Sequence, residues 1–114
     1  MRLFLYGTLL DAGTLAWRSG QPGPPLRSVQ ATLHGWRRVA VRGGRYPTVR
    51  RDRTGLVHGM LVDVPARAMG RLAVYEGPTY RLTQVVVGTL NGKTSAHTWI
   101  APCGTRRNWN AKGS

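Results

Sequence analysis

The sequence predicts a small α+β domain that is mostly β, a barrel or curled sheet with a helix packed on it. Three observations lead to this fold class. Short apolar runs of strand length, bounded by Gly and Pro, make up most of the chain. Apolar residues at helical spacing occur in one well-bounded segment, between Pro65 and Gly77. The 114 residues, 41% of them hydrophobic, suffice for one core without disulfides.

The first 26 residues predict one strand followed by irregular structure. Residues 2–6 are apolar enough for a central strand, and Gly7-Thr8 ends it. Residues 8–17 are expected to form a loop and a short helix. Residues 21–26 contain three Pro and are therefore loop.

Two strand regions are predicted in the middle of the chain. A strand pair covers residues 29–33 and 36–41, whereas the Gly- and Arg-rich residues 42–55 indicate a solvated turn region. Residues 56–64 then form a strand, in which Gly59 marks a bulge or a close backbone approach.

The segment after this strand predicts a helix. Pro65 suits the first turn of the helix, where its missing N–H costs nothing. The apolar stripe comprises Met69, Leu72 and Ala73. Gly77 is expected to end the helix.

The rest of the chain predicts a hairpin and a tail. Residues 80–90 and 93–101 are strands joined at Asn91-Gly92, a strong two-residue hairpin signal. Residues 103–114 are polar and basic, so we expect a domain of residues 1–102 followed by a flexible tail.

Charge sets this chain apart from an average domain. The chain has seventeen Lys and Arg, fifteen of them Arg, and only four Asp and Glu, which gives a net charge of +13. Such a balance favours nucleic acid or another polyanion as a partner, and residues 42–53 hold the densest Arg cluster. The lack of a signal peptide or apolar span predicts a soluble cytoplasmic protein with no membrane partner.

Metal and thiol chemistry find little support in the sequence. His34, His58 and His97 lack the spacing of metal ligands, and His97 suits a paired strand position. Cys103 has no neighbouring His and is predicted to be inert. We therefore predict no metal site.

Two segments carry candidate chemistry. Tyr6-Gly7-Thr8-Leu9 ends the first strand, where a turn leaves backbone N–H groups pointing outward, as oxyanion sites require. Glu76 is the only Glu in the chain and lies at the predicted end of the helix, where the dipole disfavours an anion. Such a position, flanked by Tyr75 and Tyr80, predicts a raised pKa for the Glu76 carboxyl, as is common in active sites. The alternative is a surface Glu that pairs with one of the many Arg.

Taken together, these segments resemble the gamma-glutamylcyclotransferase-like family. The resemblance rests on Tyr-Gly-Thr-Leu after the first strand, Tyr46-Pro47, Gly59 in a strand, and the run Tyr-Glu-Gly-Pro-Thr-Tyr-Arg at residues 75–81. It covers residues 2–101. Family members commonly have Asp three residues before the Glu, where this chain has Ala73.

The resemblance implies a small mixed β-barrel with one or two short flanking helices and a cavity at its mouth. By resemblance, Tyr6, Gly7, Thr8 and Leu9 match the substrate loop and Glu76 matches the catalytic acid/base. Tyr80 matches a pocket wall or hydroxyl donor, and strand alternation predicts that it faces the site while Arg81 faces away. The family reaction cyclises a γ-glutamyl amine or peptide to 5-oxoproline and implies no cofactor.

Two other functions stay open at this point. A binding module on the same fold would recognise an anion or nucleic acid through residues 42–53, and weak, non-specific nucleic-acid binding is compatible with either reading. Alternatively, the fold is retained without the activity, or performs another acyl transfer.

Overall fold

The computed structural model describes residues 1–6, 27–41, 47–77, 79–101 and 104–108. Within these ranges it contains six strands and one helix. The strands are β1 (Arg2–Leu5), β2 (Ser28–Val41), β3 (Pro47–Asp63), β4 (Arg81–Thr89), β5 (Gly92–Ile100) and β6 (Gly104–Asn108), and the helix is α1 (Ala66–Glu76). In this part of the chain no helix is long and apolar enough to cross a membrane. The predictions for residues 7–26 and 42–46 lie outside the described residues.

Five of the strands close into a barrel. Their order is β3-β1-β5-β4-β2, and β2 pairs with β3 to complete the ring. The β1–β5 pairing is parallel, and the other pairings of the ring are antiparallel. The mostly-β α+β fold and its barrel are thereby confirmed.

Two apolar clusters cover β1 on both of its faces. Phe4 and Tyr6 pack with buried residues of the other four barrel strands. Leu3 and Leu5 belong to a second cluster, to which α1 contributes Leu72. Burial of both faces explains why β1 is a continuous apolar run rather than an alternating one.

Gly59 allows β3 to approach β1 closely, as predicted. A Cβ atom at this position would lie 2.3 Å from the carbonyl oxygen of Leu5 and 2.7 Å from Cζ of Phe4. Since both atoms belong to the buried strand β1, a side chain here would push β1 away from β3.

The limits of α1 agree closely with its sequence signals. Pro65 is the N-cap residue, one position before the first turn that we predicted for it. Gly77, with φ 82°, ends the helix and its N–H donates to the carbonyl of Ala73 at 3.0 Å. The buried face is formed by Ala68 and Leu72, with Met69 beside them, whereas Ala73 is exposed, which corrects the predicted stripe.

The long pairing of β2 with β3 corrects two predictions. Residues 28–41 form one strand rather than a strand pair, and residues 47–55, predicted as a turn region, belong to β3. Residues 47–51 of this segment pair with β2, and the Arg51 guanidinium lies 4.5 Å from the Trp36 ring centroid.

Two smaller corrections concern the end of the chain. Thr89 pairs with Gly92, so the hairpin turn is Leu90-Asn91, one residue earlier than predicted, and Gly92 takes a φ of 106°. Residues 104–108 lie in the predicted tail but form β6, which pairs with the edge of β2. The domain boundary at residue 102 and the flexibility of the tail stay predictions.

Candidate active site

Strand pairing defines one end of the barrel as the place where β1 and β5 end and β4 begins. β1 and β5 run parallel, with Leu3 beside His97, so their last residues lie at the same end. β4 starts there because Arg81 pairs with Ile100, the last residue of β5. We call this end the mouth.

The predicted site residues approach the mouth from two directions. Tyr6 directly follows β1, and the chain continues from it into Gly7, Thr8 and Leu9, which lie outside the described residues. Glu76 is the last residue of α1, and Tyr80 directly precedes β4. The side chain of Glu76 also lies outside the described part of the structure. The fold therefore brings the two ends of the predicted site, although they are 70 residues apart, to the same end of the barrel.

The Tyr6 side chain is buried inside the barrel at the mouth. Its hydroxyl donates a hydrogen bond to the carbonyl of Trp99, and its ring stacks on Phe4 with centroids 6.3 Å apart. These contacts fix the residue from which the predicted substrate loop departs.

Tyr80 is half-buried and joins the connection after α1 to the start of β3. Its hydroxyl donates to the carbonyl of Pro47 at 2.9 Å, and its ring packs against the cluster that holds α1. Arg81 is exposed, as predicted, whereas the orientation of Tyr80 toward the site stays a prediction. The Tyr80 hydroxyl thus holds Pro47, the first residue of β3, against the helix-to-β4 connection.

Thr48 is a fully buried polar residue at the mouth that sequence reasoning missed. The backbone N–H of Ala101 donates to its Oγ1 at 2.8 Å, and its hydroxyl donates to the Ala101 carbonyl at 3.4 Å. Its place directly after Tyr46-Pro47 was the available sequence signal. The contact ties the start of β3 to the chain leaving β5.

Arg38 on β2 is the second residue that sequence reasoning missed. One of its terminal nitrogens donates to the carbonyl of His58 at 2.9 Å. Burial lowers the pKa of Arg38, and the nearby Tyr6 phenol opposes this shift. Its Nε is buried and has no hydrogen-bond partner among the described residues. Nothing in the sequence distinguishes Arg38 from the other fourteen Arg.

A cleft of about 730 Å³ lies between the β2–β3 pair and the tip of the β4–β5 hairpin. His34 and His58 line this cleft, whereas Tyr6 and Tyr80 do not. His58 Nδ1 lies 3.5 Å from the Thr32 hydroxyl. Among the described residues no three His, Cys, Asp or Glu side chains cluster as metal ligands. His97 pairs with Gln84 across the β4–β5 hairpin, the strand position predicted for it.

Comparison with known proteins supports the resemblance seen in the sequence. A family model described as gamma-glutamyl cyclotransferase, AIG2-like, matches residues 3–113. A search of curated proteins found no match. The match extends over both predicted site segments, since it includes Tyr6–Leu9 and Glu76–Tyr80.

Solved structures share the fold. A solution structure of an Arabidopsis thaliana protein has a TM-score of 0.77 at 23% identity, over 96% of this chain and 76% of that one. A gamma-glutamyl cyclotransferase structure gives 0.78 at 15% identity, over 91% and 68% of the two chains. An AIG2-like protein from Mus musculus gives 0.62 at 12% identity, over 98% and 89%. At these identities the likeness is one of fold.

Proposed function

Because the chain belongs to the AIG2-like gamma-glutamyl cyclotransferase family, we propose that it cyclises γ-glutamyl amines or γ-glutamyl peptides to 5-oxoproline. Family membership supports the general type of activity. One observation carries the proposal for this chain. Tyr6, the end of α1 at Glu76, and Tyr80 all lie at the same end of the barrel.

In the proposed reaction the substrate's α-amine attacks its own γ-carbonyl carbon. The α-ammonium, with a pKa of about 8, must first lose a proton. We assign the Glu76 carboxylate as the general base that accepts it. The new C–N bond gives a tetrahedral intermediate, and the bond to the leaving nitrogen then breaks. Glu76 returns the proton to that nitrogen, so the products are 5-oxoproline and a free amine or amino acid.

The intermediate carries an oxyanion that needs hydrogen-bond donors. We assign this role to the backbone N–H groups of Gly7, Thr8 and Leu9, which follow directly on the fixed Tyr6. Holding the γ-glutamyl chain curled also favours ring closure, and intramolecular positioning is worth up to ~7–11 kcal/mol. We expect the reaction to need no cofactor.

The experiment is a screen for 5-oxoproline release. Purified protein would be incubated with γ-glutamyl amines, γ-glutamyl dipeptides and ε-(γ-glutamyl)-lysine, and the product separated by chromatography. Release from any of them, absent with Glu76→Gln, supports the proposal. No release from the whole panel would contradict it.

Binding of a polyanion is the second candidate function. Arg50, Arg51 and Arg53 are exposed along the first half of β3, within a chain of net charge +13. Such a row of Arg on one strand favours contact with phosphates. This function does not use Glu76 or Tyr80, so both functions are compatible with the fold.

A further inference from the structure

Arg38 points into the barrel toward the end of β1. The register of β2 shifts between His34 and Trp36, and Trp36 packs against the cluster of Phe4 and Tyr6 inside the barrel. Arg38 is two residues further along the strand and therefore shares the face of Trp36. Burial lowers the pKa of Arg38 and the Tyr6 phenol opposes this shift, which agrees with the direction given by the strand pairing.

The hydrogen bond from Arg38 to His58 locates the guanidinium more closely. The pairing of β1 with β3 ends at Leu5 and Met60, and His58 lies two residues beyond Met60. The guanidinium is thus beside the place where the chain leaves β1 and continues past Tyr6 into the predicted substrate loop.

The positive charge of Arg38 is not balanced by either acidic side chain that the structure describes. Asp52 pairs with Arg37 at 3.2 Å, and Asp63 pairs with the N-terminal ammonium at 3.4 Å. Arg stays protonated at neutral pH, and burial of an unpaired charge is costly. A half-buried guanidinium with a buried, unused Nε donor is therefore suited to an anion that arrives with the ligand.

We propose that Arg38 binds the α-carboxylate of the γ-glutamyl group, an inference that rests on the proposed function. Of the substrate's reacting and charged groups, the amine is assigned to Glu76 and the γ-carbonyl oxygen to the substrate loop. The α-carboxylate is the charge that remains, and it persists in 5-oxoproline. The planar guanidinium matches a carboxylate with paired N–H donors, as the ammonium of Lys does not.

This role defines a substrate class. A γ-glutamyl group with a free α-carboxylate is accepted, whereas one whose α-carboxyl is amidated, as inside a polypeptide chain, is rejected. An amidated group would leave the half-buried Arg38 charge without its partner.

The test measures ligand binding rather than turnover. Binding of 5-oxoproline and of 5-oxoprolinamide to the full chain would be followed by NMR titration. The two ligands differ only in the carboxylate. We expect the wild type to bind 5-oxoproline about 10- to 100-fold more tightly, the range expected for hydrogen bonds to a charged group. Arg38→Gln should abolish this preference and Arg38→Lys should retain part of it.

Arg71→Gln is the matched control, because Arg71 is exposed on α1 and its removal changes the net charge by the same amount. It should leave the preference unchanged. Thermal unfolding of each variant checks the fold, and the wild-type comparison of the two ligands needs no variant.

Several results would overturn the inference. For the wild type, these are no binding of either ligand, or equal binding of both. For Arg38→Gln, they are an equal loss of affinity for both ligands, or no loss for either. An unchanged ligand preference with a shifted acidic limb of kcat/KM would mean that Arg38 acts on Glu76 instead. Binding that depends on Arg38, together with no turnover of any γ-glutamyl compound, would contradict the proposed function and leave the carboxylate site standing.

Discussion

Glu76→Gln is expected to abolish cyclisation and leave the fold intact. The change is nearly isosteric and removes only the group that accepts the proton. Loss of a general base slows a reaction by about 10²–10⁴-fold. This range corresponds to a barrier higher by ~2.7–5.5 kcal/mol.

The same substitution should stabilise the protein. α1 ends at Glu76 and has no basic residue in its last turn, so the helix itself supplies nothing to offset a carboxylate at the negative end of its dipole. A charge placed this way costs about 0.3–1 kcal/mol at low ionic strength. The free energy of unfolding of Glu76→Gln at pH 7 should exceed that of the wild type by this amount. The difference should vanish below the ~4.3 of a Glu in the unfolded chain, where both side chains are neutral in the folded and the unfolded state.

The loss of turnover is tested by 5-oxoproline release, and the gain in stability by urea unfolding, both on the same preparations. Asp63→Asn is the control, because it removes one negative charge from a side chain that is 81% exposed and paired with the N-terminus. It should leave turnover unchanged. If Glu76→Gln retains more than about a tenth of the wild-type rate, Glu76 is not the general base. If it unfolds more easily than the wild type, a cation stabilises the carboxylate and the dipole argument is wrong.

Four other results are expected. Leu72→Ala should lower the free energy of unfolding by about 2–5 kcal/mol, because Leu72 of α1 is fully buried against the barrel. The control is Val74→Ala. Since Val74 is 82% exposed, this substitution should change the free energy of unfolding by less than ~0.5 kcal/mol. Gly59→Ala should destabilise more than either in urea unfolding, since its Cβ would meet the Leu5 carbonyl at 2.3 Å; a stable variant would mean that β3 can separate from β1. The acidic limb of kcat/KM should lie above the ~4.3 of an ordinary Glu, because a raised carboxyl pKa removes the base form at a higher pH; a limb at or below that value would indicate a paired Glu76. Nucleic-acid binding should be weak and lost at physiological salt. Tight binding there would favour the polyanion function if it depended on the Arg-rich segment, which comprises Arg42, Arg45, Arg50, Arg51 and Arg53.

Local signals were sufficient for those parts of the fold that are determined within a few residues. Pro65 and Gly77 delimit α1 to within one position, and Gly59 marks the close approach of two strands. That the two site segments belong to one site was implied only by their resemblance to a known family. The pairing of β1 with β5, which brings these segments together, spans more than 90 residues and has no local signal.

The errors fall where distant pairing overrides composition. Gly, Pro and Arg in residues 47–55 suggested a solvated turn, but long Arg side chains reach water equally well from the exposed face of a strand. β6 has little strand propensity of its own, and it forms on β2, with which it pairs at Val39 and Val41. In both cases β2 supplies the hydrogen-bonding partner that composition does not reveal.

Arg38 shows why the anion-binding part of the site could not be predicted. In a regular strand, side chains alternate between the two faces, so Arg38 would share the exposed face of His34. Gly35 has a φ of 84° at the register shift in β2, where residues 52–55 of β3 are also unpaired. This irregularity moves the later side chains of β2 to the opposite face. Arg38 consequently turns inward with Trp36 toward Tyr6, and Arg37 turns outward to Asp52. Which of two adjacent Arg residues can meet a substrate is therefore decided by a backbone conformation that favours glycine.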